Sequence, residues 1–173
     1  MGLCFTAGNP TDVFVEAFGE TVRRTLESHF GGQFVLDSSD PPYSSEEVGW
    51  SGWRQLQDRA RGLLPEEKIA HFLSMEAWQG VYVPGEADIG FFTFDGHSTP
   101  LSVASLDQLI GEFEAIGVAL GLPTDGADLR SLFLGYRDDD DRCDDDMDIQ
   151  TYVQLLLSAH EAKKRNQPLW VVK

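Results

Sequence analysis

Eight aspartates occupy the eleven positions from Asp138 to Asp148, in the run DDDDRCDDDMD, with Arg142 the cation among them. Carboxylates this crowded repel one another, and they stay ionised only where water, a metal ion or a basic partner takes up the field. Solvation explains Asp144, Asp145, Asp146 and Asp148, which fall at or just before the first turn of an expected helix. Negative charge is favoured there by about 0.3–1 kcal/mol per residue. It does not explain Asp138, Asp139, Asp140 and Asp141, which follow the preceding helix, near an end that disfavours negative charge. A calcium loop of the EF-hand kind needs glycine at its sixth position and glutamate at its twelfth. Counted from Asp138 those positions hold Cys143 and Ile149, and counted from Asp140 they hold Asp145 and Thr151. No register fits, so no metal is expected. Docking of a cationic protein is the remaining use, because dense carboxylates steer such a partner and pair with its Arg and Lys side chains.

Catalytic motifs are weaker. Gly49-Trp50-Ser51-Gly52-Trp53 misplaces the last glycine of a serine-hydrolase elbow, and Gly96-His97-Ser98-Thr99-Pro100 lacks it. Cys143 and His160 do not make a thiol enzyme, since the carboxylates around Cys143 disfavour a thiolate. His29, His71, His97 and His160 are scattered, and His29 falls on an apolar helical stripe as a core-edge residue. Asp95 and His97, at an expected hairpin tip, are the first place to look for an enzymatic site. No phosphate-binding glycine motif is present, so no cofactor is expected. Trp50 and Trp53, at i and i+3, either cover the core or anchor an interface, where tryptophan often dominates binding.

Charge narrows the partners. A formal net charge of −16 in 173 residues argues against nucleic acid, whose phosphates call for clustered Lys and Arg, and against anionic membranes. The Met1-Gly2-Leu3-Cys4-Phe5-Thr6 start fits a short acylation pattern, but it reads better as a strand with Leu3 and Phe5 on one face and Cys4 and Thr6 on the other. Cys4 and Cys143 have no zinc or redox spacing, and with no leader expected they point to a reduced, cytoplasmic protein. No apolar stretch approaches the roughly 18–20 residues that span a bilayer.

The elements that must position these residues follow from periodicity. After the first strand, Asn9-Pro10-Thr11 caps one helix running to about His29, with Val15, Phe18, Val22 and Leu26 on a stripe. Gln33 to Leu36 reads as a strand. Ser44 with Glu47 offers a capping box for a helix bearing Val48, Trp50, Trp53, Leu56, Ala60 and Leu63. Pro65 opens another helix from Glu66 to about Trp78, and Val81 to Val83 is a strand. Ile89 to Phe94 and Leu101 to Ala104 form a hairpin around Asp95-Gly96-His97-Ser98. Ser105 with Gln108 caps the clearest helix, which Gly121 and Pro123 end. A shorter helix around Leu129 to Tyr136 enters the acidic loop at 137–148. A last helix carries Ile149, Tyr152, Val153, Leu156 and Ala159 and ends in Lys163, Lys164 and Arg165, before a terminal strand from Leu169 to Val172. The expected fold is a single α+β domain over 1–173: about five helices on a small mixed or antiparallel sheet with a central hairpin.

In size, charge and lack of catalytic motifs the chain resembles the small acidic immunity proteins that bacteria pair with their own toxins. The resemblance implies a non-enzymatic inhibitor that blocks a basic toxin, with Asp138 to Asp148 steering the encounter and Trp50 and Trp53 supplying desolvated contacts. The alternatives are an enzyme built around Asp95 and His97, or a housekeeping domain whose acidic loop is merely solvated.

Overall fold

The structure is a computed structural model that describes residues 2–75, 79–137 and 146–173. Trp78 and the run from Asp138 to Asp145 lie outside the described residues. Within them, alternation drives sheet formation. Leu3, Phe5 and Ala7 of β1 (Gly2–Ala7) point into one core, which Leu169 and Val171 of β7 (Leu169–Val172) and Tyr82 of β4 (Gln79–Val83) also enter. Val81, Val83, Trp170 and Val172 face the opposite way, into or against a second core. Both faces of the sheet are therefore covered. One side carries α3 (Trp50–Leu63), α4 (Ala70–Leu73), α5 (Leu106–Leu120) and α7 (Met147–Arg165), and the other carries α2 (Glu16–Phe30). α6 (Gly126–Arg137) packs on α7.

Strand order is β2-β1-β7-β4-β6-β5, with β2 (Tyr43–Ser44) and β3 (Val48–Gly49) both pairing β1. β4 runs parallel to β6 (Leu101–Ser105), while β5 (Gly90–Phe92) returns antiparallel on β6 as the expected hairpin. Among the described residues, seven strands in one sheet and seven α-helices make an α+β fold. The sheet is larger than the small one expected, because β2 and β3 have two residues each and leave no periodic trace. The C-terminal strand is central: β7 bonds β1 through Phe5↔Val171 and β4 through Val81↔Trp170.

The sequence reading and the structure differ at four elements, each for a physical reason. The expected helix from residue 10 to 29 is broken into α1 (Pro10–Val13) and α2, because Phe14 turns extended (ψ 157°). Its ring then packs edge-on against Phe18 and Trp170, with centroids 5.1 and 5.5 Å away, and Val15 is left 77% exposed. Residues 33–36 bury Phe34 and Leu36 as alternation requires, yet no strand forms there. Ser44 is in β2, its hydroxyl 2.9 Å from that of Thr6, and α3 begins behind Gly49. Strand pairing here satisfies more backbone groups than a capping box would. The helix expected from Glu66 shortens to a 3₁₀ turn, Glu66–Lys68, and α4, because a kink at Ile69 turns Ile69 and Phe72 into the core.

Helix ends follow the sequence. The Ser105 hydroxyl accepts from the Gln108 amide at 3.2 Å. Asn166, at φ 52°, ends α7 in the left-handed conformation that asparagine tolerates. Among the described residues no helix is long and apolar enough to cross a membrane.

Because β7 joins β1 to β4, deleting residues 169–173 should abolish cooperative unfolding in a urea titration followed by circular dichroism. A truncated chain that melts with a native-like transition would contradict the placement of β7.

Candidate functional site

The eight residues 138–145 join the C-terminal end of α6 to the N-terminal end of α7. That end of α7 is seated on the first turn of α3. A Cβ built on Gly52 would lie 2.6 Å from the Met147 carbonyl oxygen and 2.7 Å from the Thr151 hydroxyl, and the Ser51 hydroxyl reaches the Met147 sulfur at 3.5 Å. Glycine is required here by close approach and not by its backbone angles. The contact sets Trp50, the first residue of α3, beside the point where the chain leaves the aspartate run. Trp50 is half-buried against the core margin, with the Arg54 guanidinium 5.6 Å from its ring centroid.

The other expected binding residues divide. Asp138, Asp139, Asp140, Asp141, Asp144 and Asp145 lie outside the described residues. Asp146 is the half-buried N-cap of α7, and its carbonyl accepts from the Gln150 amide. Asp148 is only 6% exposed and accepts from Arg59 Nη1 at 2.6 Å. A buried carboxylate must be paired, and here the chain's own arginine does it. Asp148 is thus an internal residue, contrary to the partner-binding expectation. Trp53 is corrected in the same way. At 1% exposure it lies between Phe5 and Phe72, with centroids 5.9 and 5.1 Å away, and it fills the core.

The hairpin alternative is also located. His97 is exposed and stacks on Phe18 at 3.9 Å, beside a shallow hollow of about 220 Å³ lined by Gln79, Ser98 and Thr99. Among the described residues its amide donates to the Phe94 carbonyl, and no hydrogen bond to Asp95 is present. His29 is exposed and packs edge-on to Phe30 and Phe92 at the margin of the second core.

One polar cluster escaped the sequence reading. Glu112 is 8% exposed, and its carboxylate accepts from the backbone amides of His71 (2.9 Å) and Phe72 (2.8 Å). His71 Nδ1 lies 3.0 Å from the same oxygen that the His71 amide bonds, and the Tyr82 hydroxyl donates to the His71 carbonyl at 3.2 Å. Burial, reinforced by Glu112, pushes the Tyr82 phenol well above its ordinary range. An adjacent groove of about 310 Å³ is lined by Glu67, Lys68, His71 and Gln108. A carboxylate-held imidazole at a groove is the start of a general-base arrangement. Among the described residues, however, no hydroxyl or thiol is bonded to the ring. All three groups meeting Glu112 belong to α4, so the carboxylate serves as a cap for that short helix. The available signal was spacing: Glu112 falls on the stripe of Leu109, Phe113 and Ile116, where a charge must find partners.

Cys4 is a free thiol, raised in pKa by burial and by Glu47, and Cys143 lies outside the described residues. Among the described residues no group of three or more His, Cys, Asp or Glu side chains could hold a metal ion. Comparison with protein-family models, curated proteins and solved structures finds no match for this chain.

Two outcomes follow. Glu112→Gln removes the anion beneath three groups of α4 and should cost about 1–3 kcal/mol in urea unfolding; a change below about 0.5 kcal/mol would contradict the capping role. His160 is held below the usual imidazole range by burial, with Lys163 adding to this and Glu114 and Asp125 opposing it. Its neutral form is favoured by folding, so the stability it contributes is full above about pH 6.5 and declines as pH falls through its lowered pKa. His160→Gln should flatten that part of the urea-derived stability profile, and an unchanged slope would contradict the assignment.

Proposed function

We propose that the protein is a non-enzymatic inhibitor of the immunity type, which takes up a basic toxin or similar cationic protein at the end of the molecule where α7 meets α3. The single observation that supports this is the seat at Gly52, which sets the half-buried Trp50 beside the exit of the aspartate run. Aromatic anchors ringed by charge are the common form of a binding hot spot. Net charge supports the same reading, since −16 on 173 residues speeds encounter with a cation and repels anions. Several of the chain's own cations are committed to carboxylates elsewhere: Arg23 to Glu20 and Glu27, Arg61 to Asp58, Lys163 to Asp107 and Arg165 to Glu161. A partner that lives in the same bacterial cytoplasm, as a self-toxin does, fits this reading.

The test uses a basic toxin domain encoded beside the gene, titrated at low and at high salt. The full chain should bind it one-to-one. Joint replacement of Asp138→Asn, Asp139→Asn, Asp140→Asn, Asp141→Asn, Asp144→Asn and Asp145→Asn should slow association by about tenfold or more, and Trp50→Ala should accelerate dissociation. Absence of a complex at low salt, or association rates indifferent to the six substitutions, would overturn the proposal.

A further inference from the structure

The two margins of the sheet are built differently. At one, β1 is covered at both ends by β2 and β3. At the other, β5 pairs β6 and ends the sheet, so among the described residues one row of its backbone groups has no strand partner. Proteins usually guard such a row with lysine, proline or a covering element. β5 is Gly90-Phe91-Phe92. Phe91 is 69% exposed and Ile89, two positions earlier, is 46% exposed. On the opposite face Phe92 borders a hollow of about 420 Å³ against α2, lined by Arg24, Thr25, Ser28 and His29. The edge thus offers open backbone groups, an apolar stripe and a recess for a side chain.

Charge selects the occupant. Between Lys68 and Arg130 the sequence contains no lysine or arginine, and the segment around β5 carries the exposed Glu86, Asp88 and Asp95. Arg24 is the cation at the hollow, and it also faces Glu20. A second copy of this chain would bring the same carboxylates, on a body of net charge −16, within the roughly 10 Å over which charges act in dilute salt. Edge-to-edge pairing of two copies is therefore opposed, while a cationic strand is drawn in.

We propose that the free edge of β5 takes up an extended, lysine- or arginine-bearing segment of a partner protein by strand addition, with apolar side chains against Ile89, Phe91 and Phe92 and cations against Glu86, Asp88 and Asp95. Backbone hydrogen bonds supply the attachment and alternate side chains the selectivity, as in other strand-addition complexes. This surface shares with the acidic-run reading only the sign of the partner's charge, and either can fail alone.

The test titrates the full chain, isotope-labelled, with a synthetic peptide of alternating lysine and valine and with its glutamate–valine counterpart, following backbone amide resonances. The lysine peptide should shift amides of β5 and β6, and the glutamate peptide should not. Phe91→Lys and, separately, Asp88→Lys should each weaken binding about tenfold, and each variant should keep the amide dispersion of the folded chain. The six aspartate-to-asparagine replacements should leave the β5 shifts in place. No shift at β5, binding lost only with the six replacements, equal response to the glutamate peptide, or self-association through β5 would each overturn the proposal. Failure of the unmodified chain to bind the toxin at low salt, with the β5 shifts retained, would instead count against the acidic-run reading alone.

Discussion

Helix α7 lies so close to α3 that a methyl group on Gly52 would meet the carbonyl oxygen of Met147 and the hydroxyl of Thr151 inside van der Waals distance. The rest of the arrangement depends on this approach. α7 is the central helix of its layer, packing on α3, α5, α6 and β1, and it leads through Asn166 into β7, the strand that holds β1 to β4. A second close approach fixes it from the other side: Gly117 of α5 abuts the Tyr152 ring, whose hydroxyl donates to the Pro123 carbonyl at 2.9 Å while the ring stacks on Phe113. A glycine at each contact makes the room, for the α7 backbone at Gly52 and for the Tyr152 side chain at Gly117, and apolar side chains fill the rest of the layer.

This constraint also governs where charge can sit. With α7 held against α3, Asp148 is carried under the surface and must be neutralised, which Arg59 does. Asp146, two positions earlier, remains half-buried at the helix start. Asp148 is therefore a structural carboxylate within the run, and composition alone could not single it out. The same logic separates the tryptophans. Trp50 begins α3 at the margin, and Trp53, one turn on, faces inward.

Much of the fold was legible because local and tertiary signals agreed. α5 has a serine cap, an apolar stripe and a glycine stop, and β4 and β7 each carry two valines and an aromatic residue, so each was readable from the chain. What failed had long-range causes. The break at Phe14 exists because Trp170, far along the sequence, offers an aromatic surface. Residues 43–49 look like a helix start, yet they pair with β1, and a two-residue strand has no period to detect. Gln33 to Leu36 alternates correctly, but its Val35 amide donates to the Asn166 carbonyl, and among the described residues no strand pairs with the segment. At the candidate site, Gly52 is a poor helix former in isolation, whereas the structure uses it to admit α7. Glu112 was overlooked because its partners are backbone amides, which leave no residue-type signature.

The most direct test of the central contact compares one substitution at two places in the same helix. Gly62, near the end of α3, has open space around its missing Cβ, whereas Gly52 faces α7. Replacing Gly62 with alanine should raise stability by up to about 1 kcal/mol through helix propensity alone. Gly52→Ala should lower it by about 1–3 kcal/mol, because α7 must shift to admit the methyl group. Equal gains at both positions in urea unfolding would mean that α7 is not seated on α3, and the placement of Trp50 beside the first turn of α7 would fall with it.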